Sequence, residues 1–197
     1  MKTISIVDYG LGNLQSISNA LSKVGFKYKI TSDKEILNDS DGIILPGVGS
    51  FDVAMKNIKK KNLDTTIVSL IDDNKPCLAT CLGMQLLFEK SSEFGNFKGL
   101  GLLKGEVKKL PKINIGWNKL ETDIKENKIL FDDKFFYFVH LFYVSENTNY
   151  AHSHSYIDNF KFCSSILYKK TLATQFHLEK SGKSGLNIIE GFFNGYV

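Results

Sequence analysis

The segment PCLATCLGMQLLFE, residues 76–89, decides the fold of this chain. Residues 76–80 are mostly apolar and predict a buried strand, and residues 82–89 have helix-forming composition. Cys81 therefore stands at the turn between a strand and a helix. Such a turn is typical of a nucleophile elbow, in which a sharp bend presents one side chain at the carboxyl edge of a sheet. The free N–H groups at the start of the helix favour a negatively charged sulfur there.

Strand and helix patterns alternate through the residues before this segment. Strands are predicted at residues 3–8, 26–31 and 42–45, and helices at residues 14–24 and 50–73, with a break near Asn62. Alternation of this kind indicates a parallel sheet that helices cover on both faces. The expected fold class is therefore α/β, with a doubly wound, mostly parallel central sheet.

The second half of the chain is rich in strand patterns. Strands are predicted at residues 107–110, 113–120, 135–144, 150–156, 162–168 and 172–176, and a closing helix contains Leu186, Ile189 and Phe193. We expect these additional, partly antiparallel strands to extend the same sheet. The sequence has no internal repeat and no linker-like stretch, so we expect a single domain over residues 1–197.

A histidine and a carboxylate stand two residues apart near the end of the chain, at His177 and Glu179. On an extended strand, alternate side chains point to the same face, so these two are predicted to lie together. A carboxylate beside an imidazole holds the orientation and tautomer of the ring while the ring exchanges protons with a thiol. His177 is therefore a candidate base for Cys81.

A glycine loop, PGVGS at residues 46–50, follows a predicted strand and opens a predicted helix. Its glycines permit positive φ and a close approach of the backbone, and its N–H groups would face an anion. Together with the N–H of Leu82, the loop is a candidate oxyanion hole, in which one donor is typically worth about 3–4 kcal/mol.

Each of these three elements also has a purely structural interpretation. A lone buried cysteine is more often structural than catalytic, a PGVGS segment alone is as often a plain turn, and an HxE pair alone usually lies on a surface strand. The order of the three along the chain, with the glycine loop first, the cysteine elbow second and His-x-Glu on a late strand, favours a catalytic site.

Longer segments carry a family resemblance. They are VDYGLGNL at 7–14, LPGVGSF at 45–51, CLGMQLLFE at 81–89, IGWN at 115–118, FYFVH at 136–140 and QFHLEKSG at 175–182. The chain resembles the class I, or triad-type, glutamine amidotransferases over nearly its full length. Within that family, the DYGxGN and GWN segments resemble those of the glutaminase subunits of imidazole glycerol phosphate synthase.

The resemblance implies a catalytic triad of Cys81, His177 and Glu179. In this interpretation Cys81 attacks the glutamine amide, His177 acts as base and then as acid, and Glu179 orients His177. Hydrolysis of the resulting thioester then releases glutamate. The resemblance also implies that a set of residues around the cysteine holds glutamine and the oxyanion, namely Gly47, Val48, Gly49, Leu82, Gln85, His140 and Leu141.

The resemblance further implies a protein partner. Ammonia would pass to a (β/α)₈ cyclase subunit that forms a heterodimer with this chain in histidine biosynthesis, and the reaction would need neither a cofactor nor a metal. The residues implied at or near the partner face are Asn13, Trp117, Tyr137 and Lys180.

Three positions depart from the usual family pattern. Ala79 stands where the family usually has Gly, Leu141 where it has Ser or Thr, and Leu178 where it has Pro. These departures leave three alternatives open. One is a diverged paralogue that supplies ammonia for amidation of a sugar nucleotide, and another is a catalytically silent partner subunit. The third is a stand-alone cysteine hydrolase of related fold, which the partner-facing residues disfavour.

Composition and charge argue against several other classes. The net charge of +4 arises from Lys interleaved with Asp and Glu, and the basic run at 59–61 has no aromatic neighbours, so we expect no nucleic-acid binding. No run approaches the roughly 20 apolar residues of a membrane span. The N-terminal MKTISIVDYG has no signal-peptide core, so we expect a cytoplasmic protein. Three cysteines fit neither a disulfide framework nor a zinc site, so we expect reduced thiols.

Two further patterns superficially resemble ligand sites. His152 and His154 alternate along a predicted strand, but no acidic or cysteine ligand accompanies them at a recognisable metal-binding spacing. The GxG of residues 10–12 lacks the third glycine of a dinucleotide loop. We therefore expect neither a metal nor a nucleotide at these places.

Overall fold

The strands of the described residues form one sheet. The computed structural model describes residues 1–122, 135–145 and 148–195. In chain order the strands are β1 (Thr3–Val7), β2 (Lys27–Thr31), β3 (Gly42–Leu45), β4 (Cys77–Thr80), β5 (Phe88–Ser91), β6 (Phe97–Lys98), β7 (Leu103–Lys119), β8 (Phe135–Val144), β9 (Ala151–Ile157), β10 (Phe160–Tyr168) and β11 (Thr171–Thr174). Their order across the sheet is β2-β1-β3-β4-β11-β10-β8-β7-β5-β6, and β9 pairs with β10.

The centre of the sheet is parallel. Neighbouring strands in the run β2-β1-β3-β4-β11 all pair in parallel, whereas β10 pairs antiparallel with β8, β9 and β11. Ile43 and Leu45 of β3 point into the core on one face of the sheet, and Ile44 points into the core on the other. A strand that is buried on both faces must be apolar at nearly every position, which explains the sequence GIIL.

Helices cover both faces of this centre. They are α1 (Leu14–Lys23), α2 (Lys34–Asp39), α3 (Phe51–Lys60), α4 (Asp64–Asp72), α5 (Leu82–Leu86) and α6 (Gly182–Asn194). Buried residues of α1 and α6 belong to one core, and those of α3, α4 and α5 belong to the other. This arrangement confirms the predicted doubly wound α/β fold. The predicted break near Asn62 is a turn between α3 and α4, at which Asn62 has a φ of 54°.

β7 and β8 form a long antiparallel ribbon beyond the parallel centre, which we call the outer ribbon. The two strands predicted at 107–110 and 113–120 are one continuous strand, β7. The pairing shifts between Lys109, opposite Phe142, and Asn114, opposite His140, so β7 carries extra residues there. This bulge contains Pro111, a residue without an N–H group that sheets accommodate at bulges.

The hydrophobic pattern of β7 is inverted after the bulge. Ile113, Ile115 and Trp117 are exposed, whereas Asn114 between them is buried. Because successive side chains of a strand point to opposite faces, this stretch turns its apolar face to solvent and its polar face inward.

One predicted helix needs correction, and one helix of the structure was not predicted. The helix predicted at residues 82–89 ends at Leu86, and Phe88–Ser91 is strand β5, which pairs with β6 and β7. Burial of Phe88 against the outer strands outweighs local helix propensity. Helix α2 was not predicted; the side chain of Asp33 caps it by accepting hydrogen bonds from the backbone of Glu35 and Ile36.

The carboxyl ends of four strands of the parallel centre meet at one edge of the sheet. Tyr9 follows β1, Pro46 follows β3, Cys81 follows β4 and Gln175 follows β11. The buried hydroxyl of Tyr9 donates to the carbonyl of Pro46 at 2.6 Å, which fixes the start of the glycine loop. Ligand sites of open α/β sheets lie at this edge. In the described ranges, no helix is both long enough and apolar enough to span a membrane.

Candidate active site

Cys81 sits in a strained turn between β4 and α5. Its φ of 52° and ψ of −112° lie outside the regions that residues with a Cβ usually occupy. The backbone N–H of Cys81 donates to the carbonyl of Thr174 at 2.7 Å, so β11 fixes the turn. The predicted elbow is therefore present. Cys81 lines a cavity, and 8% of the residue's surface is exposed.

Two glycines allow the loop after β3 to lie directly on the elbow. A Cβ at Gly47 would overlap the backbone N of Gly83, and a Cβ at Gly83 would overlap the carbonyl of Leu45. Only residues without a side chain permit this approach of two backbones. Gly49 has a φ of 102°, and Ser50 is the N-cap residue of α3, so PGVGS follows a strand and opens a helix as predicted.

His177 and Glu179 lie together, although not on a strand. β11 ends at Thr174, and Glu179 belongs to a 3₁₀ turn, Leu178–Lys180, so the prediction of an extended His-x-Glu segment was wrong. The Nδ1 atom of His177 is nevertheless 2.8 Å from Oε1 of Glu179, and both side chains are buried.

Neighbouring elements hold this turn in place. The backbone N of His177 donates to the carbonyl of Tyr137 on β8 at 2.9 Å, and Ser181 Oγ donates to the carbonyl of His177 at 2.6 Å. Leu178 is fully buried in the core below α1 and α6. A turn fixed from both sides therefore replaces the strand geometry that the sequence suggested.

The environment of His177 favours its protonated form. Burial lowers the pKa of this ring, but hydrogen bonds and charge interactions with the Cys81 sulfur and the Glu179 carboxylate raise it by more, so the pKa of His177 is about 10. Among the described residues, the buried Nε2 atom has no nitrogen or oxygen hydrogen-bond partner. A ring oriented through Nδ1, with its other nitrogen left for the sulfur, is suited to transfer a proton to and from Cys81.

A cavity of about 350 Å³ opens in front of Cys81. Its lining includes six of the seven residues predicted to hold glutamine and the oxyanion, namely Val48, Gly49, Leu82, Gln85, His140 and Leu141. The seventh, Gly47, lies behind the wall, with its backbone against Leu82. The structure thus brings the predicted site residues together around one cysteine.

Two polar residues of the cavity region were not predicted as site residues. Glu93 lines the cavity, and its carboxylate accepts a hydrogen bond from the backbone N–H of Phe51 at 3.0 Å. Burial raises the pKa of Glu93, the Phe51 N–H lowers it, and Asp52 raises it further. Glu93 follows β5, whose assignment as helix hid this acid from sequence analysis.

Gln175 is the second of these residues. Its Nε2 atom donates to the sulfur of Cys81 at 3.6 Å, and its Oε1 atom accepts from Nε2 of Gln85 at 2.9 Å. Its position was a usable signal, because Gln175 directly follows β11 at the edge of the sheet where Cys81 was expected.

The residues implied at a partner face are only partly clustered. The rings of Trp117 and Tyr137 are 5.9 Å apart, edge to face, and Nζ of Lys180 lies 5.8 Å from the centre of the Tyr137 ring. Asn13 lies at the N-cap of α1, a helix that packs beside the turn containing Lys180. In the described ranges, no group of three or more His, Cys, Asp or Glu side chains is arranged to hold a metal ion.

Comparison with known families decides the classification. The model of the family "Glutamine amidotransferase class-I" matches residues 5–195. The chain belongs to this family. It is thus a glutamine amidotransferase, as the sequence motifs predicted. Of the departures from the family pattern, Ala79 is fully buried in β4, between Leu45 of β3 and Ala173 of β11.

Individual relatives refine the placement of this glutamine amidotransferase. It is 45% identical to an imidazole glycerol phosphate synthase subunit HisH of Aquifex aeolicus, over 98% of this chain and 96% of the relative. It is 41% identical to a subunit of the same name from Dehalococcoides mccartyi, over 96% of each chain. These relatives confirm the resemblance to the synthase subunits.

Solved structures show the same fold at low sequence identity. The structure of PurLQS from Thermotoga maritima matches with a TM-score of 0.77 and 19% identity, over 100% of both chains. A crystal structure described as a glutamine amidotransferase matches with a TM-score of 0.75 and 18% identity, over 97% of this chain and 98% of the other.

Proposed function

We propose that this glutamine amidotransferase is the glutaminase subunit of an imidazole glycerol phosphate synthase. It hydrolyses L-glutamine and passes ammonia to a cyclase subunit in histidine biosynthesis. One observation carries the catalytic part of the proposal. Cys81 occupies a strained elbow and lines the same cavity as His177, and Nδ1 of His177 is hydrogen-bonded to Glu179. The names of the relatives carry the assignment to the synthase.

The chemistry follows from this arrangement. The sulfur of Cys81 attacks the amide carbon of glutamine, and the C–N bond breaks as protonated His177 gives its proton to the leaving nitrogen, which departs as ammonia. His177 then removes a proton from water, and the water oxygen attacks the thioester. Cleavage of the C–S bond releases glutamate and returns the sulfur of Cys81 as a thiolate beside protonated His177, the state from which the cycle began. Glu179 keeps the ring of His177 oriented through both steps.

Oxyanion stabilisation is assigned to the backbone around the elbow. The N–H of Leu82 follows the nucleophile directly, and the glycine loop with Val48 and Gly49 lines the opposite wall. The contact between Gly47 and the elbow keeps these two walls at a fixed distance. Preorganised donors of this kind stabilise the negative oxygen of the tetrahedral intermediate by about 3–4 kcal/mol each.

Glu93 supplies a candidate recognition group for the substrate. Free glutamine carries an α-ammonium group, and the carboxylate of Glu93 lines the cavity. A charge-assisted hydrogen bond between the two would select the free amino acid over a glutamine residue within a peptide.

The outer ribbon has an exposed apolar face. Ile113, Ile115, Trp117 and Phe135 are exposed by 53%, 60%, 53% and 55%. Trp117 pairs with Tyr137 across the ribbon. Apolar side chains gathered on one strand face, outside the two cores, are typical of a protein interface, with aromatic residues as anchors. We propose that the cyclase subunit docks here.

Domain organisation and compartment complete the proposal. Both cores pack on the same sheet, which supports a single domain over residues 1–197. Cys77, Cys81 and Cys163 form no disulfide, which supports a reducing compartment such as the cytoplasm.

The first experiment measures glutamate release from glutamine by the purified chain. The assay is run alone and with the cyclase subunit of the same genome plus its ribonucleotide substrate. Cys81→Ala is compared with Cys163→Ala, which removes a buried thiol of β10 instead. Release that the cyclase stimulates, and that only Cys81→Ala abolishes, supports the proposal.

Other outcomes separate the alternatives. No release despite a well-formed complex would indicate a catalytically silent subunit. Cys81-dependent release that no cyclase stimulates would move the assignment to a sugar-nucleotide amidation partner, or to a stand-alone hydrolase if turnover is already high without any partner.

A further inference from the structure

A chain of hydrogen bonds, most of them buried, runs from the outer ribbon to Cys81. Asn118 Nδ2 donates to Asn114 Oδ1 at 3.0 Å, and Asn114 Nδ2 lies 2.9 Å from Nε2 of His140. Nδ1 of His140 is 2.8 Å from the carbonyl of Phe142. The same carbonyl accepts from Nε2 of Gln85 at 3.0 Å. Gln85 then reaches the Cys81 sulfur through Gln175.

The partners of His140 determine its tautomer. A carbonyl oxygen only accepts hydrogen bonds, so Nδ1 of His140 must carry the hydrogen that bonds Phe142. In a neutral ring Nε2 is then an acceptor, and it pairs with the amide N–H of Asn114. The Asn114 amide is itself oriented, because its oxygen accepts from Asn118.

Burial keeps His140 neutral. Its pKa falls to about 4 mainly through burial; the Phe142 carbonyl raises it and the nearby His177 lowers it. Asn114 is 4% exposed and His140 is 6% exposed, so water does not readily replace either partner. Loss of the Asn114 donor would leave Nε2 buried without a partner.

The Phe142 carbonyl links this pair to the cavity. It accepts one hydrogen bond from His140 and one from Gln85, and both of these residues line the cavity in front of Cys81. If the ring of His140 rotated or changed tautomer, the carbonyl would lose one of its two donors. Gln85 would then lose a fixed acceptor at the cavity wall.

We propose that Asn114 is a positioning residue of the glutamine site. It holds His140 in the Nδ1–H tautomer, and through the Phe142 carbonyl it fixes the amide of Gln85 for substrate binding. The assignment of this cavity to glutamine rests on the function proposed above.

The sequence around Asn114 fits this role. The bulge at Pro111 sets the register that places Asn114 opposite His140. Asn114 is buried although the residues on both sides of it, Ile113 and Ile115, are apolar and exposed. Stability alone would favour the opposite arrangement, with the isoleucines buried. We therefore attribute the burial of the Asn114 amide to its hydrogen bond with His140.

The test compares two substitutions with a matched control. Asn114→Leu removes the donor to His140, whereas Asn114→Asp keeps the shape and replaces the donor by an acceptor. Ser155→Ala is the control, because Ser155 loses only a 2.8 Å hydrogen bond to the carbonyl of Lys119 on the same part of the sheet. Asn114→Asp also covers the case in which Asn114→Leu does not fold.

Nitrogen-15 NMR of His140 and of the Gln85 side-chain amide gives a readout that does not depend on turnover. We expect the Nδ1–H tautomer in the wild type and in Ser155→Ala. In Asn114→Asp we expect a proton on Nε2 at neutral pH, because a carboxylate accepts from it. In Asn114→Leu we expect a displaced Gln85 amide signal.

Steady-state kinetics with glutamine provides the second readout. Asn114→Leu is expected to raise KM about tenfold and to change kcat by less than about threefold, since Asn114 acts on binding and not on the triad. An Nε2–H tautomer in the wild type, or wild-type NMR signals and KM in Asn114→Leu, would overturn the inference. If the wild type releases no glutamate, the proposed function fails, and the NMR signals alone decide the role of Asn114.

Discussion

The elbow around Cys81 and the outer ribbon achieve precision in opposite ways. At the elbow, two backbones touch and no side chain separates them, because Gly47 and Gly83 leave no room for a Cβ. In the ribbon, the backbone carries a bulge, and the position of His140 depends on the side chain of Asn114. Steric contact fixes the position of Cys81, and hydrogen bonds fix His140 in the cavity wall.

This difference determines how each region responds to substitution. A clash between backbones cannot relax without moving a strand, so changes at the elbow affect stability and activity together. A hydrogen-bonded side chain can be exchanged for an isosteric one, so changes in the ribbon can separate substrate binding, partner binding and stability.

Gly83→Ala should have the largest effect. Its Cβ would overlap the carbonyl of Leu45, so we expect the free energy of unfolding to fall by about 3 kcal/mol and glutaminase activity to fall more than about 100-fold. Denaturant unfolding and glutamate release measure the two. Gly25→Ala is the control, because its Cβ meets open space at a φ of 81° and should cost about 1 kcal/mol without loss of activity. Equal effects of the two would contradict the steric account of the elbow.

Glu179→Gln should lower activity about 100-fold. Removing the carboxylate removes one of the two interactions that raise the pKa of His177, so that pKa falls below about 10. Because His177 is protonated only below its pKa, the alkaline limb of the rate profile should move to lower pH. NMR titration of His177 and the pH dependence of kcat/KM test both points. An unchanged alkaline limb would mean that Glu179 does not set the protonation of His177.

Ile115→Ser should weaken partner binding about tenfold and leave the unfolding free energy within about 0.5 kcal/mol of the wild type. Ile115 is exposed on the ribbon, so it contributes little to the cores of the isolated chain. Ile30→Ser is a matched control, since Ile30 is an exposed isoleucine on β2, the edge strand at the opposite end of the sheet. Titration calorimetry with the cyclase subunit measures the affinity of each variant, and denaturant unfolding measures its stability. Equal losses of affinity would place the docking face elsewhere.

Cys81→Gly should have the smallest effect, a gain of about 1 kcal/mol in unfolding free energy. Glycine adopts the φ of 52° without strain, whereas Cys81→Ala keeps the Cβ and the strain. Denaturant unfolding of the two inactive variants isolates the backbone contribution. A glycine variant no more stable than the alanine variant would show that the elbow stores no strain.

Much of the fold follows from local sequence patterns. The apolar runs at 42–45 and 77–80 have the length of buried strands, and the helix at 14–23 has apolar residues at helical spacing. The structure has these elements at nearly the predicted bounds. The segment after α5 was misassigned because LFE has helix-forming composition, while pairing with β7 makes it a strand. Pairing between distant strands leaves no local trace.

The geometry of the candidate site was predictable where motifs mark it. Cys81, His177 and the glycine loop stand at strand ends, and strand ends of a parallel sheet converge. The link from Asn114 to His140 depends on the register across a bulge, and the placement of Glu93 depends on the misassigned strand. Neither can be read from spacing along the chain, because both arise from how separate segments pair.

The inverted hydrophobic pattern of the outer ribbon limits the concentration at which the unassembled chain stays free of self-association. Each unassembled copy presents Ile113, Ile115 and Trp117 to water, and such strips adhere to one another as readily as to a partner. Under the proposed docking of the cyclase subunit on this face, we expect production in excess of that subunit to yield self-associated material, and balanced synthesis to keep these side chains covered. In that case three side chains of one strand limit how far the amounts of the two subunits can differ.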